Sequence, residues 1–437
     1  MRNFLIFLIK ILWHVYLLCV RDAYIEKIKM ENYAMKELRK KLSKNIKLEY
    51  LYTAINGLNM VNFVWVLYLS YRGMNLAQIG ILEGIYHGAS MLFEIPTGAI
   101  ADLFGRKSSM IAGRLCIAIS CIMMLFASKF WMFAIVFVIQ VWGNNFNSGA
   151  EEALVFDSVK LLGEEKKYLR INGRIQVLIE AAQAIATVLG GILAEYSYMY
   201  CYITCFVIAV FSITPILFMT EPPIEKQENH NIRVHVLFIN HFKESIELLF
   251  GDVRILRLSI FYSGIFTLGS ILYFYGQPYL YDIGFNRMEI GCILMCAGIA
   301  AALGAFFSDA LYRRTGDKIV PFYASVLCGC IIAFGYVNGV AAIGVFMVFE
   351  FLSSVLYPIQ SNTMNTLIPS DKRATLISVN SMCCSIMMVV VFPMIGKLID
   401  LLGMRKVLTV VGTLCLLGII MYLKNGAYNK NKSTTYL

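Results

Sequence analysis

Charge is what this chain lacks most. Only 15% of its 437 residues are Asp, Glu, Lys or Arg, while 59% are hydrophobic; ordinary soluble domains carry roughly 25% charge. There is too little polar surface here to clothe a water-soluble domain of this size. Histidine is also scarce, with five residues. No CxxC is matched by a second CxxC or by a histidine pair, and most of the twelve cysteines sit inside apolar stretches. That excludes a zinc site or a disulfide framework as the organising feature. HExxH and GxxxxGK[ST] are both missing, which argues against a metalloprotease and against ATP drive by this chain. The reading is of a protein that is not an enzyme and has no cofactor or metal. Acidic residues are outnumbered, giving a net charge of +10. The basic residues occupy connecting loops rather than a stripe, so nucleic acid is not an expected partner.

What is present is hydrocarbon. Stretches such as "FWMFAIVFVIQVW" and "GTLCLLGIIMYL" approach the ~20 apolar residues that a bilayer crossing requires. Apolar windows centre on 51–70, 78–101, 109–128, 131–155, 174–195 and 199–219, then on 257–280, 289–311, 319–337, 340–366, 375–396 and 405–423. The predicted fold is an all-α membrane protein of twelve transmembrane helices. Its divisions are an extension (1–47), a six-helix bundle (48–220), a cytoplasmic linker (221–255), a second bundle (256–424) and a tail (425–437). Phe238, Phe242, Ile246 and Leu249 share one helical face in the linker, as in a helix lying on the inner leaflet.

Lys and Arg collect in alternate loops, among them Arg106, Lys107, Lys166, Lys167, Arg313, Arg314, Lys372 and Arg373. By the positive-inside rule these loops are cytoplasmic. Both termini are then cytoplasmic and the protein is a multi-pass component of the cell membrane, provided the extension does not span. Three readings of the apolar start "NFLIFLIKILWHVYLLCV" stand: a signal-anchor-like helix, a membrane-surface helix, or sequence upstream of a start at Met30 or Met35. "MKELRKKLSKNIKLEY" after it reads as a basic cytoplasmic lead-in.

The two halves are related. A shift of 211 residues superposes Asn75 on Asn286, Ile79 on Ile290, Gly80 on Gly291, Ala99 on Ala310, Gly105 on Gly316 and Lys107 on Lys318 without a gap. Duplicated bundles of this kind characterise transporters whose binding site lies between the repeats.

After the second window comes "GAIADLFGRKSSM". It resembles the signature loop of the major facilitator superfamily, with Gly98, Asp102, Gly105, Arg106 and Lys107 matching and Leu103 in place of the usual arginine. The resemblance implies a loop that latches the two halves in the outward-open state. By position, Asp102 would face the start of the eleventh helix near Ala374, and Arg106 would pair with Asp157 at the inner end of the fourth. A carboxylate suits the first task because a helix N-terminus favours negative charge. In the second half Arg313 replaces the aspartate and Asp317 the arginine, so the latch is expected to be asymmetric. "SGAEEALVFDSVKLLG" (148–163) resembles a bacterial drug-resistance or uncharacterised exporter subgroup. The family's proton-linked arginine in the fourth span is absent; Ile139 or Asn145 stands there. Its antiporter motif loses the proline, reading Ala186 to Gly191.

Ionisable groups in a span cost several kcal/mol unless paired or wetted, so each is a candidate site. In the second span Glu83, His87 and Glu94 fall within about 40° of one face. Glu83 and His87 are candidates for proton coupling or for a packed polar interface; Glu94 reads as part of a structural turn. The resemblance implies a cavity lined by the first, fourth, seventh and tenth spans. Candidates there are Asn56 and Asn59, then Gln140, Asn144, Asn147 and Glu151, then Tyr273, then Glu350, Ser354 and Tyr357. Tyr279 and Tyr281 suit an interfacial belt, and Arg114 is expected to snorkel to the inner surface. Aromatic walls with carboxylates suit an amphipathic or cationic solute. The leading expectation is therefore a monomeric secondary transporter exporting such solutes by proton drive. The alternatives are an ion-coupled importer and a non-transporting sensor on the same fold.

Overall fold

The computed structural model describes residues 35–223, 253–316, 319–366 and 373–424, with a few positions between 243 and 251. The N-terminal 34 residues, most of the linker with Phe238 and Phe242, and the tail from 425 lie outside the described residues. Every regular element among those described is helical. This follows from the solvent: within hydrocarbon each unpaired backbone group costs several kcal/mol, and a helix pairs them all internally.

In chain order the helices are α1 (35–56), α2 (Val61–Tyr71), α3 (Leu76–Phe104), α4 (Arg106–Phe126), α5 (Phe130–Leu161), α6 (Tyr168–Tyr196), α7 (Tyr198–Phe211) and α8 (Ile213–Phe218). The second half contains α9 (Val253–Asp282), α10 (Arg287–Thr315), α11 (Ile319–Phe334), α12 (Val340–Thr366), α13 (Arg373–Leu402) and α14 (Met404–Lys424). α1 with α2 makes one span and α7 with α8 another, giving twelve membrane-spanning helices in two six-helix pseudo-repeats. Eight helical stretches among the described residues are long and apolar enough to cross a bilayer by composition alone. α3 and α5 are not among them, because polar side chains along one face dilute their hydrocarbon.

The repeat extends to local chemistry. Asn75 caps α3 and Asn286 caps α10, each closing a reciprocal capping box, with Gln78 and Glu289 respectively; such caps contribute about 1 kcal/mol each. Both helices end at a glycine with positive φ, Gly105 at 96° and Gly316 at 59°, which arrests the helix before the basic turn.

The signature segment expected to be a loop is helical except at Gly105, which alone separates α3 from α4; the halves meet most closely at the end of the molecule opposite this 98–107 segment, here called the far end. Asp400, at the end of α13, accepts from the backbone N–H groups of Leu76 (3.1 Å) and Ala77 (2.8 Å) at the start of α3. Glu195, at the end of α6, accepts from the N–H of Arg287 (3.2 Å) at the start of α10. Each half thus places a carboxylate from its fifth span on the N-terminus of the other half's second span, where unpaired donors and the helix dipole favour it. The repeated glycines make this approach possible: a Cβ on Gly80 would stand 2.7 Å from Pro393 Cα, and one on Gly291 would stand 2.8 Å from Thr187 O. The Tyr275 hydroxyl sits at the same seam, 3.0 Å from Phe392 O of its own half and 3.2 Å from Leu76 O of the other, and its one proton is shared between these two acceptors. Away from the far end, Met91 packs with Leu249, Met382 and Cys383.

Candidate functional site

The first span is not continuous. α1 ends at residue 56, and Gly57 to Met60 are non-helical before α2 begins. Irregular backbone at membrane depth survives only where it lines a cavity or is buried in protein, and broken helices are the usual place to build a transporter site. Here the break is closed locally: the N–H of Val61 donates to Asn59 Oδ1 (3.1 Å), and Asn59 Nδ2 donates to Asn62 Oδ1 (3.2 Å). "NGLN" at 56–59 is a turn signal inside an apolar run, and the sequence reading passed over it as one uninterrupted helix.

The break opens onto a cavity of about 560 Å³, within the range of small-molecule sites. Of the predicted site residues, Asn56, Asn59, Glu83, Gln140, Asn144, Asn147, Glu151 and Tyr273 reach its wall. The first half supplies most of the wall, including Gln183 on α6; Tyr273 and Phe274 of α9 close it from the second half. Trp65 and Phe274 meet edge to face with ring centroids 5.1 Å apart. The α12 residues Glu350, Ser354 and Tyr357 are not on the wall. Glu350 lies close to Tyr273, whereas Tyr357 is 71% exposed. His87 is also off the wall but reaches Glu83, with Nε2 and Oε1 3.4 Å apart; Glu94 is exposed.

Beneath the cavity is a buried polar cluster that sequence reading only half found. Glu49, fully buried on α1, is within hydrogen-bonding reach of the Glu151 carboxyl on α5. Thr53 donates to Glu49 (3.2 Å), Asn147 donates to Glu151 (2.7 Å), and the Tyr52 hydroxyl donates to Asn147 Oδ1 (2.5 Å). Glu49 had read as part of a basic lead-in. Since α1 runs unbroken from residue 35, Glu49 is instead inside the bundle, facing the stripe that Asn147 and Glu151 form at i and i+4. Arg114 is a correction. It does not snorkel to the surface but is buried, lines the cavity, donates through Nε to Ser212 Oγ (2.9 Å) and stands within electrostatic reach of Glu151. A guanidinium about two turns past the head of α4 can turn inward because the carboxyl cluster compensates it there.

At the signature loop, the Arg106 guanidinium pairs with Asp157 and also donates to Ala153 O (2.6 Å). Glu221, a linker residue by sequence, accepts from the N–H groups of Arg106 (2.7 Å) and Lys107 (2.9 Å) and so caps α4. Lys107 Nζ donates to Leu217 O and Met219 O, covering carbonyls at the end of α8. Asp102 is exposed and makes no hydrogen bond or ion pair among the described residues. The side chain of Ala374 and position 317 lie outside the described residues, and Arg313 bonds Asp309 on its own helix at 2.9 Å. Gly98 has open space where a Cβ would stand.

Two six-helix repeats around a polar cavity with a broken first span define a solute transporter fold. The family model for the Major Facilitator Superfamily matches residues 51–392, and the chain belongs to that family, whose members are transporters and not enzymes. It is 23% identical over 382 residues to the uncharacterized MFS-type transporter YxaM of Bacillus subtilis, covering 85% of this chain and 94% of that protein. Among solved structures, a point variant of the nucleoside transporter NupG superposes with a TM-score of 0.73 at 15% identity, covering 89% of this chain and 99% of the other. A D-xylose-proton symporter superposes at 0.63 and 13% identity, covering 87% and 97%. At these identities the likeness to solved structures is one of fold.

Proposed function

We propose that this transporter is proton-coupled and acts as a monomer in the cell membrane, with the 98–107 segment cytoplasmic and, provided the N-terminal extension does not span, both termini cytoplasmic too. The observation that carries the coupling is the contact between the Glu49 and Glu151 carboxyl groups beneath the cavity. Two carboxyl groups that face each other in a low-dielectric surround repel when both are charged, which suits the pair to taking up and releasing one proton. With that proton bound, the remaining negative charge offsets Arg114. A solute entering above the pair, or a change in which face the cavity opens to, alters its hydration and hence its hold on the proton. Glu83 and His87, 3.4 Å apart on α3, are the second candidate pair for the coupling. The direction is export, which rests on the resemblance of 148–163 to the exporter subgroup. The loop braces Arg106 and Lys107 for the latch that Asp102 completes in the opposite conformer. The sequence-based expectation of an amphipathic or cationic cargo rests on Glu83 reaching the wall near the aromatic rings of Tyr86 and Trp65, and Glu83 serves a cation only where His87 leaves it free.

Infrared difference spectroscopy of the reconstituted protein between mildly acid and mildly alkaline pH tests the coupling site without a substrate. A carboxylic-acid C=O band should disappear on alkalinisation and be missing from Glu49→Gln and Glu151→Gln. Persistence of the band in both variants, or its absence in the wild type, removes the pair as the coupling site.

A further inference from the structure

We infer that the cavity binds an electrically neutral ring solute carrying several hydroxyl groups or an amide-like edge, and not a cation. The inference rests on the transport reading above and names the cargo of the same cavity.

The ground is an inventory of which wall groups already have partners. Glu83 is met by His87; Glu151 accepts from Asn147 and faces Glu49; Arg114 donates to Ser212 and stands near Glu151. Each charged group on the wall therefore already faces a partner within the protein. What stays unused is neutral. Asn56, Gln140 and Gln183 line the cavity and make no side-chain hydrogen bond among the described residues. They come from three elements, α1, α5 and α6, so their amides converge on the space from separate directions. Each presents two donors and a two-lone-pair acceptor, the complement of vicinal hydroxyls or of a lactam edge. Across from this arc the second half contributes Tyr273 and Phe274, flat faces against which the ring of such a solute can rest. A cation would find the carboxylates already facing partners and would leave the three amides without a partner on the ligand, which costs affinity. A free sugar and a nucleoside share the required chemistry.

Equilibrium binding of labelled uridine, D-glucose and tetraphenylphosphonium to the purified full-length chain in lipid nanodiscs, with no proton gradient, tests this. One of the two neutral solutes should bind, which identifies the source, and tetraphenylphosphonium should neither bind nor displace it. Gln140→Leu and Gln183→Leu should each weaken binding about tenfold or more. With the wild-type protein, 2′,3′-dideoxyuridine or 2-deoxyglucose should compete correspondingly worse than the parent compound, a readout that no folding defect can imitate. Binding of the cation alone, binding of none of the three, or neutral binding indifferent to both the substitutions and the missing hydroxyls overturns the inference. Because binding is read without a gradient, a solute that binds normally to Glu49→Gln while the infrared band is unaffected by that substitution counts against the coupling reading only.

Discussion

The far end and the loop end use the same device to opposite purposes. At both, a carboxylate accepts from the first N–H groups of a helix: Asp400 on α3 and Glu195 on α10 at the far end, Glu221 on α4 at the loop end. At the far end each contact crosses from one half to the other, so it must break whenever the cavity opens there. At the loop end the contact stays within the first half, as do the partners of Arg106 and Lys107, so it can persist through the whole cycle. A carboxylate on a helix end is therefore a gate or a brace according to which body supplies it. The conformer described has its gate shut at the far end.

The comparison breaks most sharply at the backbone. Gly80→Leu puts a side chain where Pro393 already sits, and the far end should fail to close. Peptide-mapped labelling of the cavity cysteines Cys121 and Cys205 by a membrane-impermeant maleimide, added from the far side, should then rise at least about tenfold. Gly98→Ala, in open space, should leave it unchanged. Equal labelling in wild type and Gly80→Leu would mean that this approach does not govern closure.

Asp157→Ala tests the brace. It strands the Arg106 guanidinium at a half-buried site and should cost about 1–3 kcal/mol, seen as a drop of several degrees in Tm of the purified protein, while far-side labelling stays as in wild type. A large change in labelling with an unchanged Tm would reverse the assignment of gate and brace.

Asp400→Asn removes a charge from an exposed helix end, a contact worth roughly 0.3–1 kcal/mol. Far-side labelling should increase by up to about fivefold, with the increase reproduced by Glu195→Gln. The smallest effect is expected of Asp102→Asn. With no hydrogen bond or ion pair in this conformer beyond the reach of its charge to Arg106, it should leave Tm nearly alone yet lower far-side labelling about two- to threefold, because the conformer that it latches becomes less populated. Unaltered labelling would show that Asp102 has no part in the latch.

Much of the fold was legible from residues alone. The dearth of charge forced a membrane solution, and the shift by 211 residues exposed the repeat whose caps, Asn75 and Asn286, occupy equivalent places. Arg106 and Asp157 were legible through a motif. Glu221 was not, since a carboxylate just beyond a span reads as linker until the head of α4 is seen beside it. The i, i+4 stripe of Asn147 and Glu151 was visible as a face, but a face does not announce its partner.

The amino-acid order by itself determined twelve apolar windows, their pseudo-repeat, the capped starts of α3 and α10 and the charged turn after α3. These depend on hydropathy, helical period and turn chemistry, all properties of neighbours along the chain. Only the tertiary structure decided that Glu49 touches Glu151, that Arg114 turns inward, that Glu350 and Tyr357 stay off the wall, and that Asn56, Gln140 and Gln183 face one cavity with their amides unspent. Those outcomes turn on how helices rotate and tilt against one another. Rotation and tilt are set by close contacts such as Gly80 on Pro393 and Gly291 on Thr187, between residues far apart in sequence, and no local pattern encodes them.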